Sequence, residues 1–300
     1  MIVDDARLAA AYAACARITR RYGTTYYWGA LLLPRERRRH VYAVYALCRL
    51  ADDIVDAPGA TRGDTSATRA ALVGFRARFE LALAGDPLPG DDVLAAVAHT
   101  VAACGIAHDC FDRFFDAMAM DLDVARYETF EDLCGYMEGS AAVIGEMMLP
   151  VLEPLSDKAF QPARSLGLAF QLTNFLRDVG EDLDRGRVYL PQADLRQFGA
   201  DPARRGGDDA WRALMRYEIA RNRELYSHAE LGIDLLPPRS ARCVATAHRL
   251  YSGILTRIEA RDYDVFTGRA RVPTLTKAAT AVVTLARGPR ASLGHALAGG

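Results

Sequence analysis

Long apolar runs and an excess of positive charge are both missing from this chain. None of its apolar stretches approaches the roughly 18 residues that a membrane-spanning helix requires. Basic and acidic residues nearly balance, at 37 against 38, and lysine occurs only as Lys158 and Lys277. A nucleic-acid-binding protein normally carries a clear basic excess, so we expect no nucleic-acid partner. The composition favours a water-soluble protein that acts on something other than DNA or RNA.

Paired cysteine spacings and a secretory signal pattern are also lacking. The six cysteines show no C-x-x-C spacing and stand mostly among apolar residues: Cys15, Cys48, Cys104, Cys110, Cys134 and Cys243. We therefore predict buried, free thiols in a reducing compartment. The first residues include Asp4 and Asp5 instead of a charged and then apolar leader, which favours a cytoplasmic location.

Strand-like alternation is scarce, whereas apolar residues recur at spacings of three and four. Proline- and glycine-containing breaks separate the predicted helices, which span 35–56, 92–104, 109–123, 130–149, 162–183, 209–232 and 239–261. No glycine fingerprint for a dinucleotide follows any strand. The sequence therefore predicts an all-α bundle in a single domain, residues 1–287, followed by a flexible tail at 288–300.

Two acidic clusters lie within predicted helices about 120 residues apart. Asp52 and Asp56 differ by four positions, which rotates a helical side chain by only about 40°. The same spacing places Asn174, Asp178 and Asp182 in a stripe about 12 Å long. Oxygen ligands without a nearby histidine or cysteine suit Mg²⁺, with Mn²⁺ as an alternative, and substrate phosphates usually complete such a site.

An acidic pair on a helix is more often a solvated surface than a metal site. Here both helices are apolar around their acids, with neighbours such as Leu47, Ile54, Leu172 and Phe175. Buried acids are costly unless they are paired or coordinate a metal. The occurrence of this arrangement twice favours a shared site between two facing helices.

Several arginines accompany the acids. Arg49 precedes Asp52 by three residues, Arg177 directly precedes Asp178, and Arg185 and Arg187 follow the second cluster. Guanidinium groups match phosphate oxygens, although an ordinary ion pair with a neighbouring aspartate would explain each arginine equally well.

Small residues interrupt a helical segment at Gly139, Ser140, Ala141 and Ala142. They leave room for a bulky neighbour, which would be either a long apolar ligand or another helix. We expect them to line an apolar cavity, with close helix packing as the alternative.

Three segments carry a resemblance to a known family. They are 42–56 (YAVYALCRLADDIVD), 136–150, and above all 167–191 (GLAFQLTNFLRDVGEDLDRGRVYLP). Together they resemble the squalene/phytoene synthase family, and the likeness extends over roughly residues 16–277. The resemblance implies the isoprenoid-synthase fold, a bundle of helices around a central cavity. It also implies two aspartate-rich motifs on opposite walls that bind Mg²⁺ and two prenyl diphosphates.

The resemblance assigns roles to individual residues. It implies that the metal ligands are Asp52, Asp56, Asn174, Asp178 and Asp182. It implies that the diphosphate contacts are Thr25, Arg49, Arg177, Arg187, Arg269, Arg271 and Lys277. It implies that the catalytic positions are Tyr136, Arg49, Arg177 and Tyr251. The chain departs from the family where Tyr22 and Thr25 replace a His-x-x-Ser pattern, and where Gly268 and Thr276 replace basic residues.

The activity that this resemblance implies is that of a Mg²⁺-dependent prenyltransferase. It would join two geranylgeranyl diphosphates head to head, through a cyclopropylcarbinyl diphosphate, to give phytoene. The alternatives are a synthase that makes dehydrosqualene or squalene from farnesyl diphosphate, and an enzyme that prenylates an aromatic acceptor. A catalytically silent assembly protein is the non-enzymatic alternative. The lipophilic product suggests peripheral contact with a membrane, and the sequence does not determine an oligomeric state.

Overall fold

The described residues of the computed structural model, 5–57, 59–60, 63–270 and 272–289, form helices joined by short connections. Within them no strand occurs, and the single isolated bridge pairs Arg126 with Val188. The predicted all-α class is confirmed. Arg271 lies outside the described residues. So do residues 290–300, which make up most of the predicted tail. That residues 1–287 form a single domain stays a prediction.

The first half of the chain contributes six helices. They are α1 (Asp5–Tyr22), α2 (Thr24–Ala30), α3 (Arg35–Val55), α4 (Ser66–Leu83), α5 (Asp92–Cys104) and α6 (Asp109–Met120). Pro34 precedes α3, where its missing N–H costs nothing, and α5 ends at Gly105 in the left-handed conformation. The predicted end of α3 was one residue too late, because Asp56 already has a non-helical backbone.

The second half contributes seven further helices. They are α7 (Phe130–Met137), α8 (Val143–Leu152), α9 (Phe160–Asp184), α10 (Gln192–Phe198), α11 (Asp209–Glu230), α12 (Pro238–Ala260) and α13 (Thr274–Arg287). A capping box starts α7, because Thr129 and Asp132 each accept a hydrogen bond from the other's backbone N–H. The sequence had predicted one continuous helix over 130–149. The structure instead has a π-helical turn, Glu138–Ala142, between α7 and α8.

Two large apolar clusters form the core, and they meet along the cavity. The first includes Leu47 of α3, Phe79 of α4 and Phe114 of α6. The second includes Leu176 of α9, Leu214 of α11 and Leu255 of α12. The two acidic helices α3 and α9 therefore belong to opposite halves of the core, and each presents its acids toward the space between them. The six cysteines are free, as expected, and four of them are buried.

Close helix packing, the alternative interpretation, explains part of the small-residue segment. A Cβ added at Gly139 would lie 2.4 Å from the carbonyl oxygen of Arg113 on α6. Ala142 is completely buried, and its Cα lies 3.3 Å from the position of a Cβ at Gly167 of α9. Of the four residues, only Ser140 and Ala141 line the cavity. The expectation that Gly139 and Ala142 line it is wrong, because both are used where neighbouring helices approach one another.

This packing predicts opposite outcomes for two glycines one turn apart. Gly139→Ala forces a methyl group against the α6 backbone and should lower the free energy of unfolding by about 1–3 kcal/mol. Gly135→Ala is the matched control, because no atom lies within 4 Å of its added Cβ and alanine is the better helix former. Chemical denaturation should show the control unchanged or more stable by up to about 1 kcal/mol. Equal stabilities of the two variants would contradict the close approach of α6.

Candidate active site

A cavity of about 1410 Å³ lies between the halves of the core. This volume exceeds the roughly 300–1,000 Å³ that is typical of small-molecule sites, so there is room for a large ligand. One end is lined by acids and arginines, and the other by apolar side chains such as Leu149, Leu152, Ile233 and Leu236. Every described residue that the sequence assigned to the site is in the lining: Thr25, Arg49, Asp52, Asp56, Tyr136, Asn174, Arg177, Asp178, Asp182, Arg187, Tyr251, Arg269 and Lys277.

The α3 wall contributes Asp52 and Asp56. Burial, with repulsion from Asp56 as the next cause, raises the pKa of Asp52 to about 7. Asp56, just beyond the helix, accepts a hydrogen bond of 2.8 Å from Nη1 of Arg187 and lies 3.4 Å from Nη1 of Arg185. Asp52 thus faces the cavity as an acid whose charge is poorly compensated, whereas Asp56 is held by arginines from the opposite half.

The α9 wall contributes Asn174, Asp178 and Asp182, as the spacing of four predicts. Arg177 holds Asp178 with two hydrogen bonds, from Nε to Oδ1 at 2.7 Å and from Nη2 to Oδ2 at 2.6 Å. Arg269 adds a third contact, from Nε to Oδ1 at 2.9 Å. The Asn174 side-chain amide donates to Gln171 at 3.4 Å. Both carboxylate oxygens of Asp178 are therefore paired with arginines.

Asp182 is the least compensated acid of this wall. It is buried, and burial, followed by repulsion from Asp178, raises its pKa to about 8. Asp56 of the opposite wall adds to this repulsion, while Arg185, at 3.9 Å, counteracts part of it. The two walls are thus close enough for their negative charges to interact.

These acids fit a site in which a cation and a phosphate are bound together. Within the described ranges, no three His, Cys, Asp or Glu side chains converge closely enough to hold a metal by themselves. The donors are oxygens on two walls, and burial together with neighbouring acids raises the pKa values of Asp52 and Asp182. Mg²⁺ prefers oxygen ligands and usually takes phosphate and water oxygens to complete its shell, so the donor set fits magnesium held jointly with diphosphate.

Each cavity arginine that was predicted to contact diphosphate is paired with an acid. Arg49 pairs with Asp53 and stacks over the Tyr22 ring at 4.6 Å. Arg187 is buried, and it donates to Asp56 and, at 3.2 Å, to the carbonyl oxygen of Val55. The ion-pair alternative is thus what the structure shows for these arginines.

The α2 helix and the C-terminal segment meet at the polar end of the cavity. Nζ of Lys277 donates to the Thr24 hydroxyl at 2.5 Å, and Thr25 beside it is half-buried in the lining. Arg269 contacts both Asp178 and Glu181, the latter at 2.8 Å. The two segments that depart from the family pattern are therefore neighbours, and both border the same polar end.

Sequence reasoning missed Asp121, a buried acid directly after α6. It accepts hydrogen bonds from the hydroxyls of Tyr136 at 2.8 Å and Tyr189 at 3.1 Å. Burial raises the pKa of Asp121, and burial together with this neighbouring acid raises that of Tyr136, so the Tyr136 hydroxyl keeps its proton and donates. The only sequence signal was an aspartate among apolar residues, Met118, Met120 and Leu122.

Stacked aromatic rings line the cavity beyond the acids. Phe175 and Tyr189 stack at 3.9 Å, and Phe170 and Tyr251 at 4.3 Å. Tyr26 lies 5.4 Å from Tyr251. The faces of such rings carry negative electrostatic potential and are able to stabilise a nearby cation.

Known proteins are similar to this chain both in sequence and in the arrangement of helices. The squalene/phytoene synthase family matches residues 19–276. A 15-cis-phytoene synthase of Synechococcus elongatus is 39% identical over 94% of this chain and 94% of its own length. A chloroplastic phytoene synthase of Daucus carota is 39% identical over 87% of this chain and 67% of its own.

Solved structures agree with the sequence comparisons. A dehydrosqualene synthase in complex with ligand superposes with a TM-score of 0.83 at 26% identity, covering 93% of this chain and 96% of its own. A squalene synthase from Alicyclobacillus acidocaldarius gives 0.76 at 30% identity, covering 87% and 97%. The likeness includes the helices that carry both acidic motifs and covers most of each protein. The chain therefore belongs to the squalene/phytoene synthase family.

Proposed function

We propose that this protein joins two molecules of geranylgeranyl diphosphate head to head to form phytoene. The reaction releases diphosphate twice and passes through a cyclopropylcarbinyl diphosphate. The observation that carries the proposal is the 39% identity to 15-cis-phytoene synthases over nearly the whole chain. The cavity supports it, because acids and arginines lie at one end and a deep apolar space at the other.

The acids of both walls would hold the metal-bound diphosphates. Asp52 and Asp56 act from α3, and Asn174, Asp178 and Asp182 from α9. Magnesium supplies positive charge that stabilises the departing diphosphate. A bound cation would also supply positive charge that favours the ionised forms of Asp52 and Asp182, whose pKa values are raised to about 7 and about 8.

The arginines would exchange partners when substrate binds. Arg49, Arg177 and Arg269 now pair with carboxylates, which are metal ligands or their neighbours. These guanidinium forks would also match phosphate oxygens, if the carboxylates held a cation instead. Arg187, Lys277 and Thr25 complete the polar end, and Arg271 is included on the family resemblance alone.

The apolar part of the cavity would protect the carbocations. Phe170, Phe175 and Tyr251 line the space that the prenyl chains would occupy, and aromatic rings stabilise nearby cations. Tyr136 holds Asp121 in place as a hydrogen-bond donor. Exclusion of water from this space prevents premature quenching of a cation.

We place the protein in the cytoplasm, with loose membrane contact for its lipophilic product. No helix in the described part of the chain has both the length and the apolar character needed to cross a bilayer. Any association would therefore involve a surface of these helices and not a span by one of them.

The decisive assay uses purified protein, Mg²⁺ and separate C20 and C15 prenyl diphosphates. We expect phytoene from geranylgeranyl diphosphate, identified by mass spectrometry, and loss of product after chelation of the metal. Dehydrosqualene as the main product, or squalene when NADPH is added as the hydride donor, would favour the C15 alternative. Prenylation of an added aromatic acceptor without phytoene would favour the single-donor enzyme, and no turnover with any donor would favour an assembly protein.

Asp182→Asn should remove activity while making the metal-free protein more stable. Loss of this carboxylate should lower turnover at least 10²-fold. Because its pKa is raised from 3.8 to about 8, the wild-type carboxyl favours folding below about pH 4, and this contribution is lost as pH rises through 8. In chelator at pH 8 the variant should exceed wild type by on the order of 1 kcal/mol, and at pH 4 the difference should vanish.

Asp184→Asn is the matched control, because Asp184 lies on the same helix, pairs with Arg205 and is absent from the cavity lining. Its turnover and pH-dependent stability should match those of wild type. Equal activity of Asp182→Asn and the control would remove Asp182 from the site.

Ala163→Phe should shorten the preferred donor. Ala163 lines the cavity on α9, 15 positions before Asp178 and so about 22 Å along the helix. A phenyl group there fills space that a C20 chain would need but a C15 chain would not. Competition between the two donors should shift at least tenfold toward C15, and Ala163→Val should shift it less. An unchanged ratio with full C15 activity would place the chain end elsewhere.

A further inference from the structure

The outer face of α13 is apolar and exposed. Leu275 is 85% exposed, Val282 64%, Leu285 56% and Val283 37%. These are four of the thirteen large apolar side chains that the described part of the chain exposes, and no other helix carries more than two. A group of this kind on one element is more informative than single exposed apolar residues, which are common.

The pattern of α13 is the reverse of that of an ordinary surface helix. At 100° per residue, its exposed apolar positions cover an arc of about 160° without a charge, completed by Ala278, Ala279 and Ala286. Its buried side instead consists of Thr280, Ala281 and Thr284. Burial of threonines and exposure of leucine and valine cost free energy in water. A partner that covers the outer face would remove the cost of exposing leucine and valine.

Charge around α13 is strongly one-sided. It packs on α2 and α12. Together the three helices carry six basic residues, namely Arg239, Arg242, Arg249, Arg257, Lys277 and Arg287. Their one acidic residue is Glu259, although the whole chain has a net charge of −1. An anionic surface would be attracted to this group of helices.

The position of α13 links this face to the cavity. Pro273, Thr274 and Lys277, at the start of the helix, belong to the cavity lining. The inference rests here on the proposed function, because a substrate with a charged head and a long apolar chain would enter beside this helix. An apolar strip next to such an entrance suits a lipid surface, which also dissolves the product.

We propose that the outer face of α13 docks on the surface of an anionic lipid bilayer. The helix of 14 residues is about 21 Å long, too short to span a bilayer but suited to lie in its interface. Leu275, Val282 and Leu285 enter the boundary between headgroups and acyl chains, while the exposed Arg287, which lies beside the apolar arc on the same helix, contacts anionic headgroups. Affinity comes from apolar burial and charge together.

The test is sedimentation of the full-length protein with vesicles in the absence of substrate. Vesicles of phosphatidylcholine mixed with phosphatidylglycerol should bind wild type, and high salt or phosphatidylcholine alone should weaken binding. Leu275→Gln, Val282→Gln and Leu285→Gln combined should lower the partition coefficient about tenfold or more. The matched control combines Val73→Gln, Leu81→Gln and Leu231→Gln, which are also exposed but lie elsewhere, and it should bind as wild type does.

Other occupants of the face give different results. Equal vesicle binding by the α13 variant and wild type would overturn the proposal. A dimer in sedimentation velocity that the α13 variant abolishes, without vesicle binding, would assign the face to a second copy. Binding that appears only after removal of residues 290–300 would assign it to the tail. Because no substrate is present, failure of phytoene formation would leave these outcomes unaffected.

Discussion

Negative charges on facing walls of the cavity repel one another, and the rest of the site is arranged around this repulsion. The effect is largest at Asp52 and Asp182, where burial and neighbouring acids raise the pKa values to about 7 and about 8. Asp56 and Asp178 are relieved by arginines. Some acids of the site are thus neutralised by arginines of this chain, whereas the ionised forms of Asp52 and Asp182 are only partly compensated. A metal–diphosphate complex provides positive charge along with its own phosphate oxygens.

Stability and function compete in such an arrangement. A carboxyl with a raised pKa weakens the folded protein at neutral pH, because its ionised form is better solvated in the unfolded chain. Bound ligand reverses this effect by stabilising the ionised form. Arg187 limits the cost on the α3 side by joining Asp56, the Val55 carbonyl and the Asp121 carbonyl across the cavity. A buried guanidinium with three partners holds two halves of the core in fixed relation.

The local part of this site could be predicted from sequence, and the tertiary part could not. Spacing of four within one helix places Asn174, Asp178 and Asp182 on one face wherever that helix lies, so their stripe needs no knowledge of the fold. The pairing of Arg187 with Asp56 joins residues 131 positions apart and follows only from the packing of the halves. Asp121 was missed because its significance depends on two tyrosines that reach it from other segments.

The small-residue segment shows the same limit. Composition revealed that something approaches closely at 139–142, but both a ligand and a helix satisfy that description. The structure assigns Ser140 and Ala141 to the cavity, and Gly139 and Ala142 to helix contacts, within a single turn. Sequence periodicity assumes a regular helix and therefore could not anticipate this division.

The π-helical turn at Glu138–Ala142 allows two side-chain contacts that an unbroken α-helix would not allow together. Before it, Tyr136 reaches Asp121 at 2.8 Å, and after it, Glu146 pairs with Arg113 at 2.6 Å and with Arg164. One extra residue in a turn shifts the register of everything that follows by about 100°. In a regular α-helix, either Tyr136 would point away from Asp121, or Glu146 would point away from Arg113 and Arg164. The segment is therefore two helices of different phase, with one phase serving the cavity and the other an ion-pair cluster.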